Sequence, residues 1–188
     1  MKNTLKNKDR KLITGLLTLS YPNVFEAVSV NGGKPKFSVC LIIPKTDAAT
    51  IANIAAAVKA AYRDGEAKLK GNGDSVPSFE SIKKPLRDGD ADRLNDPAFK
   101  NSFFLNAGSV FAPGIVDADL NPVTDRSAVY SGVSARVSIS FYAYNINGNV
   151  GIACGLNNVQ VLGGGKRITD RATAKSDFSN DVDDDFLK

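Results

Sequence analysis

The chain has 188 residues, 43% of them hydrophobic and 23% charged, which excludes a wholly disordered chain or a coiled coil and leaves room for one well-buried domain. Histidine and tryptophan are absent, so His-dependent triads, Cys-His nucleophile pairs and His-bearing zinc sites are excluded, and any aromatic surface must come from ten Phe and five Tyr. The net charge of +4 is divided, because residues 176–188 set five acids against Lys188 and carry −4 while the preceding body carries +8. That division suits either a polyanion-binding domain with a competing tail or an ordinary basic domain with a solvated terminus.

Residues 1–11 form a basic leader (Lys2, Lys6, Lys8, Arg10, Lys11) followed by no apolar run of signal-peptide or membrane-span length, so the reading is cytoplasmic and without a membrane partner. Residues 12–19 are apolar and β-prone, and Tyr21-Pro22-Asn23 interrupts them before Val24 resumes the pattern, which predicts two strands with a kink or turn at Pro22. After Asn31-Gly32-Gly33, Phe37, Val39, Leu41 and Ile43 alternate with Ser38, Cys40 and Ile42 in a third strand ending at Pro44. Thr46 and Asp47 are N-cap candidates for a helix over residues 48–63, with an extension past Gly65 to Lys70; Ile51, Ile54, Val58, Ala61 and Tyr62 recur at helical spacing. Residues 71–97 read as a long ordered loop, of the kind usually kept for function. Short extended pieces follow at residues 103–106 and 113–116.

From Val133 the pattern is clearest. Val133, Ala135, Val137, Ile139, Phe141 and Ala143 form an apolar face opposite Ser134, Arg136, Ser138, Ser140, Tyr142 and Tyr144. Asn147-Gly148-Asn149 marks a hairpin, residues 151–161 return, and beyond Gly163-Gly164-Gly165 the periodicity ends in a tail expected to be disordered. Cys40 and Cys154 lie in strand-like segments without metal-ligand spacing and read as buried free thiols. The order predicts a mainly β domain over residues 12–162: an OB-like five-stranded Greek-key barrel with one helix between strands 3 and 4 and a long inserted loop.

Arg136, Tyr142 and Tyr144 on the outward face place two rings beside a cation. Base stacking on such rings is worth roughly 1–3 kcal/mol per base, although the same tyrosines also suit a strand face covered by a loop. Lys34, Lys36, Lys83, Lys84 and Arg87 are each candidates for a phosphate or for plain solvation. Phe103 and Phe104 are adjacent and must point opposite ways, so one of them is a candidate for exposure. Asp88, Asp90 and Asp92, with Asp117 and Asp119, raise a metal-dependent nuclease as an alternative, but Arg87, Gly89 and Arg93 favour an ion-paired turn. Gly163-Gly164-Gly165 lacks the Lys-Ser/Thr of a P-loop and reads as a linker; no cofactor is expected. Asp181, Asp183, Asp184 and Asp185 followed by Phe186 read as a partner-binding tail.

Several blocks in one order carry a resemblance. They are Leu19-Ser20-Tyr21-Pro22-Asn23-Val24-Phe25-Glu26, Pro35-Lys36-Phe37-Ser38-Val39, Leu41-Ile42-Ile43-Pro44-Lys45, Lys84-Pro85-Leu86-Arg87-Asp88-Gly89-Asp90, Phe104-Leu105-Asn106-Ala107, Pro113-Gly114-Ile115-Val116-Asp117, Tyr130-Ser131-Gly132, and Asn147-Gly148-Asn149 continuing from Ile152 to Gln160. In these the chain resembles the single-stranded-DNA-binding proteins of tailed bacteriophages. The resemblance implies an OB-fold that coats single-stranded DNA in phage replication or recombination, in the host cytoplasm and not as an enzyme, with an acidic tail that tempers DNA binding and recruits replication or recombination proteins; self-association on DNA is left open. The tail departs from the family in that Leu187 and Lys188 follow Phe186. A phage interaction protein that does not bind DNA stays open, and the residues alone do not choose DNA over RNA.

Overall fold

The alternation of apolar and polar residues becomes strands in the computed structural model, which describes residues 9–29 and 32–168. The leader as far as Lys8, Val30 and Asn31, and the tail beyond residue 168 lie outside the described residues. In chain order the strands are β1 (Lys11–Ile13), β2 (Leu17–Val28), β3 (Lys36–Pro44), β4 (Arg87–Asp88), β5 (Ser102–Ser109), β6 (Gly114–Val116), β7 (Ser134–Ile146) and β8 (Asn149–Gly163). Helices α1 (Ala48–Asp64) and α2 (Glu66–Lys70) lie between β3 and β4, and the short α3 (Gly89–Asp92) follows β4.

Five strands form a ring. β2 pairs with β3, β3 with β5, β5 with β8 in parallel, β8 with β7, and β7 returns to β2. Two seams are short: β5 meets β8 only at Ala107↔Cys154 and Gly108↔Gly155, and β2 meets β7 at Leu17↔Ala135 and Thr18↔Ser134. The barrel is therefore partly closed and of the expected OB type. Leu17, Leu19, Val39, Leu41, Ile43, Leu105, Val137, Ile139, Phe141, Ile152 and Leu156 fill its interior. Each such side chain contributes roughly 1.5–3 kcal/mol on burial.

Helix α1 follows β3, as expected, and packs Ile54, Ala57, Val58 and Ala61 against the core. The side chain of Asp47 accepts the Thr50 N–H at 3.0 Å and caps it. Gly65 closes it by donating to the Ala61 carbonyl at 3.0 Å, at a point where any Cβ would collide with that of Ala143. One element differs from expectation. Residues 17–28 are a single strand rather than two, because the irregularity at Pro22 is absorbed by a bulge between Ser20 and Asn23, with Tyr21 at φ 46°. In the ring, α1 consequently follows the second barrel strand.

The long excursion is ordered by backbone pairing. Ile82 enters the core, the Lys83 N–H donates to the Val150 carbonyl at 3.1 Å, and the Lys83 carbonyl accepts the Ile152 N–H at 2.9 Å. β4 then pairs with Phe103 and Phe104 of β5. The segment from Lys83 to Asp88 thus stitches the gap where β5 and β8 diverge. The Gly163-Gly164-Gly165 stretch is also tied down, contrary to the linker reading. Its three glycines take φ values of 73°, 67° and 84°, and the chain lies back on the turn before β7. There the Tyr130 hydroxyl donates to the Gly164 carbonyl at 2.8 Å, the Ile168 N–H donates to the Ser131 carbonyl at 2.8 Å, and the Arg167 guanidinium sits 4.2 Å over the Tyr130 ring.

Cys40 and Cys154 are buried and unbridged. Burial pushes the Cys40 thiol up to about 11 and drives that of Cys154 up further, so both behave as small apolar groups at neutral pH.

Candidate nucleic-acid interface

On β7 the outward row is the one read from the sequence, with Tyr142 44% exposed and Tyr144 half-buried. Room beside these rings comes from the neighbouring strand. β8 presents Gly151, Ala153 and Gly155 on the same face, directly paired with Tyr144, Tyr142 and Ser140. A Cβ on Gly155 would stand 3.5 Å from Cε1 of Tyr142, and one on Gly151 would stand 2.8 Å from the Tyr144 hydroxyl. The small residues of β8 therefore form a floor beside both tyrosines that larger side chains would crowd. Partial burial raises the Tyr142 hydroxyl above its usual range, so it stays a neutral donor.

This floor opens into a groove of about 690 Å³ that crosses β7, β8, β5 and β3. Lys36 and Ser38 line it from β3, Asn106 through Ser109 from β5, and Lys83, Lys84 and Pro85 form the wall supplied by the long excursion. Among the described residues, no acidic residue lines it. Polar groups knit its base: Ser140 lies 3.3 Å from Oδ1 of Asn157, whose Nδ2 donates to Ser138 at 3.5 Å. Asn157 is the extra residue of a bulge between Ser138 and Ile139, which also switches the inward positions of β8 from Ile152, Cys154 and Leu156 to Val159 and Val161.

The groove thus brings together five of the residues singled out in the sequence: Lys36, Lys83, Lys84, Tyr142 and Tyr144. Lys34 is exposed two residues before Lys36 in the β2–β3 loop. Arg136 shares the outward row of β7 but lies outside the groove, its Nε donating to the Thr14 carbonyl at 3.4 Å. Lys84 also donates to the Glu80 carbonyl and sits 4.9 Å over the Phe79 ring.

Phe103 and Phe104 separate. Phe104 is on the outward face yet 0% exposed, because Phe99 from a 3₁₀ turn (Pro97–Phe99) packs edge-on against it with ring centroids 5.1 Å apart. It cannot offer a face to a ligand. Cys40 and Ile42 complete this small second core, and Ile168 packs on it. Arg87 covers Phe104 at 5.0 Å while its Nε pairs with Asp92 at 2.8 Å, and Arg93 lies 5.2 Å over Phe99. Phe103 is the half-exposed member, under Lys45 at 5.1 Å.

The aspartates of the excursion form an ion-paired turn. Lys45 Nζ reaches Asp88 and Asp90 at 2.7 Å each, Asp88 caps α3, and Asp90 accepts the Asn101 N–H at 2.9 Å. The Lys45 hydrogen bond, reinforced by that N–H, holds Asp90 below its ordinary value. Asp117 is turned inward on its own loop, accepting the N–H groups of Asp119 and Asn121 at 2.9 Å each. Among the described residues, no cluster of three or more His, Cys, Asp or Glu is placed to hold a metal ion.

Two features of the groove escaped the sequence reading. The Gly151, Ala153, Gly155 ladder was visible as small residues at alternate positions opposite the tyrosines. Phe111, 78% exposed and next to the groove residue Val110 without itself lining the groove, carried no pattern that set it apart from other loop residues.

The fold is shared with solved structures of other proteins. The chain is similar in structure to the single-stranded DNA-binding protein from bacteriophage Enc34 in complex with ssDNA, at TM-score 0.72 and 18% identity over 87% of this chain and 94% of that one. A C-terminal truncation of the same phage protein gives TM-score 0.69 and 18% identity over 87% and 94%. The structure of gp2.5, a single-stranded DNA-binding protein encoded by bacteriophage T7, matches at TM-score 0.59 and 15% identity over 87% of this chain and 97% of that one. No curated protein matches the sequence. The profile of the family described as Enterobacter phage Enc34, ssDNA-binding protein, matches residues 10–187, and the chain belongs to that family.

Proposed function

We propose that this protein binds single-stranded DNA without sequence preference in the groove across β7, β8, β5 and β3, as a coating protein and not as an enzyme. The observation that carries this reading is the groove's composition: two tyrosines beside the small residues Gly151, Ala153 and Gly155, three lysines and, among the described residues, no carboxylate. Unpaired bases stack on Tyr142 and Tyr144, which requires no particular base because every base has a π-face. Lys36, Lys83 and Lys84 meet phosphates, and Lys34 extends the same basic rim. Ser38, Asn106, Ser140 and Asn157 supply hydrogen bonds that tolerate any base edge. A duplex hides its base faces within the stack, so the tyrosines favour single strands. The acidic residues Asp181, Asp183, Asp184 and Asp185 with Phe186 act in this reading as a tethered competitor for the basic groove and a handle for replication or recombination partners.

The test is fluorescence anisotropy of a labelled oligo-dT over a salt series, with the full chain and with a chain ending at Lys175. Affinity is expected to fall with salt at a log-log slope of about 0.7 per neutralised phosphate, and to rise on truncation. Chelation of divalent cations is expected to leave binding unchanged and the DNA uncut. Absence of binding by both forms at low salt contradicts the reading.

A further inference from the structure

The groove ends at β3, but the strand beyond it carries an anomaly. Leu17 and Leu19 point into the core, and strict alternation along β2 would send Tyr21 after them. Instead Tyr21 is 51% exposed. Its φ of 46° is a conformation that non-glycine residues rarely adopt, and the residue before a proline ordinarily takes extended dihedrals. The register shift between Ser20 and Asn23 is the bulge that turns this side chain out, after which Val24 resumes the inward face. Bulges of this kind re-aim side chains, and strained backbone persists only where its surroundings enforce it.

Here the surroundings do enforce it. The Tyr21 N–H donates to Ser131 Oγ at 2.9 Å, across 110 residues of sequence. Gly132 donates to the Leu19 carbonyl at 2.8 Å and holds the adjacent turn. Asn23 Nδ2 reaches both the Tyr21 carbonyl at 3.5 Å and Ser38 Oγ at 3.4 Å. Ser38 lines the groove, so the bulge is tied directly to its β3 rim. An aromatic ring is thereby held out to solvent, at a conformational cost, on the strand next in line after the groove's last strand.

We propose that Tyr21 is a further nucleic-acid-contacting residue, a stacking platform that extends the binding track from β7, β8, β5 and β3 onto β2. This rests on the groove being the single-stranded-DNA site. Bound DNA then runs across all five barrel strands, with Tyr142 and Tyr144 at one end and Tyr21 at the other, and only a strand long enough to cross β3 reaches it.

The experiment is anisotropy with oligo-dT of increasing length, using wild type, Tyr21→Phe and Tyr21→Gly. Glycine removes the ring and accepts the positive φ, so Tyr21→Gly is expected to melt no lower than wild type, which separates binding from folding. Lost stacking predicts roughly 5- to 150-fold weaker binding of long oligonucleotides by Tyr21→Gly, little change for the shortest ones that bind, and near-wild-type behaviour for Tyr21→Phe. Equal affinity of Tyr21→Gly and wild type at every length overturns the proposal while leaving the groove intact. A uniform loss at all lengths also overturns it, since it would mean that the ring supports the groove and does not extend it. No binding by wild type at any length removes the groove reading, and this inference with it.

Discussion

Strands β3 and β5 each carry two outward halves with opposite fates. Toward one end, Cys40, Ile42 and Phe104 point outward but are sealed by Phe99 and Ile168, with Arg87 and Arg93 laid over the rings. Toward the other, Lys36, Ser38, Asn106 and Gly108 stay open to solvent beside Tyr142 and Tyr144. The strands and the face are shared, so the difference comes from what the connecting segments do. The chain uses its excursion and its C-terminal strap to cover one half, and supplies the other with small, polar and basic residues that leave it bare. Uncovered sheet that is tyrosine-lined and, among the described residues, without carboxylates is what an unpaired polyanion can use.

The covered half is where the largest effect is expected. Phe104→Ala should lower stability by about 3–5 kcal/mol in urea denaturation, because it removes a fully buried ring and leaves Phe99 without its partner. Its affinity for oligo-dT should change little as long as the protein is folded. The open half should respond in the opposite sense. Tyr142→Ala, and separately Tyr144→Ala, should each cost about 1–3 kcal/mol of binding while shifting stability far less than Phe104→Ala does. If Phe104→Ala weakened binding as much as Tyr142→Ala at equal folded fraction, the division between the halves would be lost.

A smaller change should follow from the lysines. Replacing Lys36, Lys83 and Lys84 together by Ala should flatten the log-log salt dependence by about 2, as three phosphate contacts at about 0.7 each require. The smallest effect is expected at the ion pair that anchors the excursion. Asp90 is held below its ordinary 3.8 by Lys45 and the Asn101 N–H, so its contribution is present above pH 3.8 and fades as pH falls through its lowered folded-state value. Lys45 is raised above 10.5 by Asp88 and Asp90, so its part is fully present below pH 10.5 and is lost only as pH climbs past its raised folded-state value. The melting-temperature difference between wild type and Asp90→Asn should therefore be constant through neutral pH and vanish in acid, as thermal melts across pH can check.

These particulars also show what a sequence displays and what it hides. The β7–β8 hairpin and its tyrosine face were legible because they depend on local alternation and on Asn147-Gly148, whose φ values of 51° and 80° suit the turn. The helix was legible from its spacing and from Asp47. The seam made by Lys83 on Gly151, the strap on Ser131 and the bulge at Tyr21 were not, since each is set by partners distant in sequence. Phe104 shows the limit of alternation most plainly. The pattern requires only that Phe103 and Phe104 point opposite ways; the burial of Phe104 on the outward face is decided by Phe99, and no period in the sequence announces that cover. The bulge at Asn157 did leave a trace, in the switch of apolar positions from even to odd between Leu156 and Val159.

The placement of single-stranded DNA on the open half of this face can be read out residue by residue. It is tested most directly by ultraviolet cross-linking of an oligonucleotide carrying 5-iodouracil in place of thymine, followed by peptide mapping of the adducts. Adducts are expected at Tyr142 and Tyr144, lost when unlabelled oligo-dT competes. Adducts confined to peptides of the covered half, with none on β7, would contradict that placement.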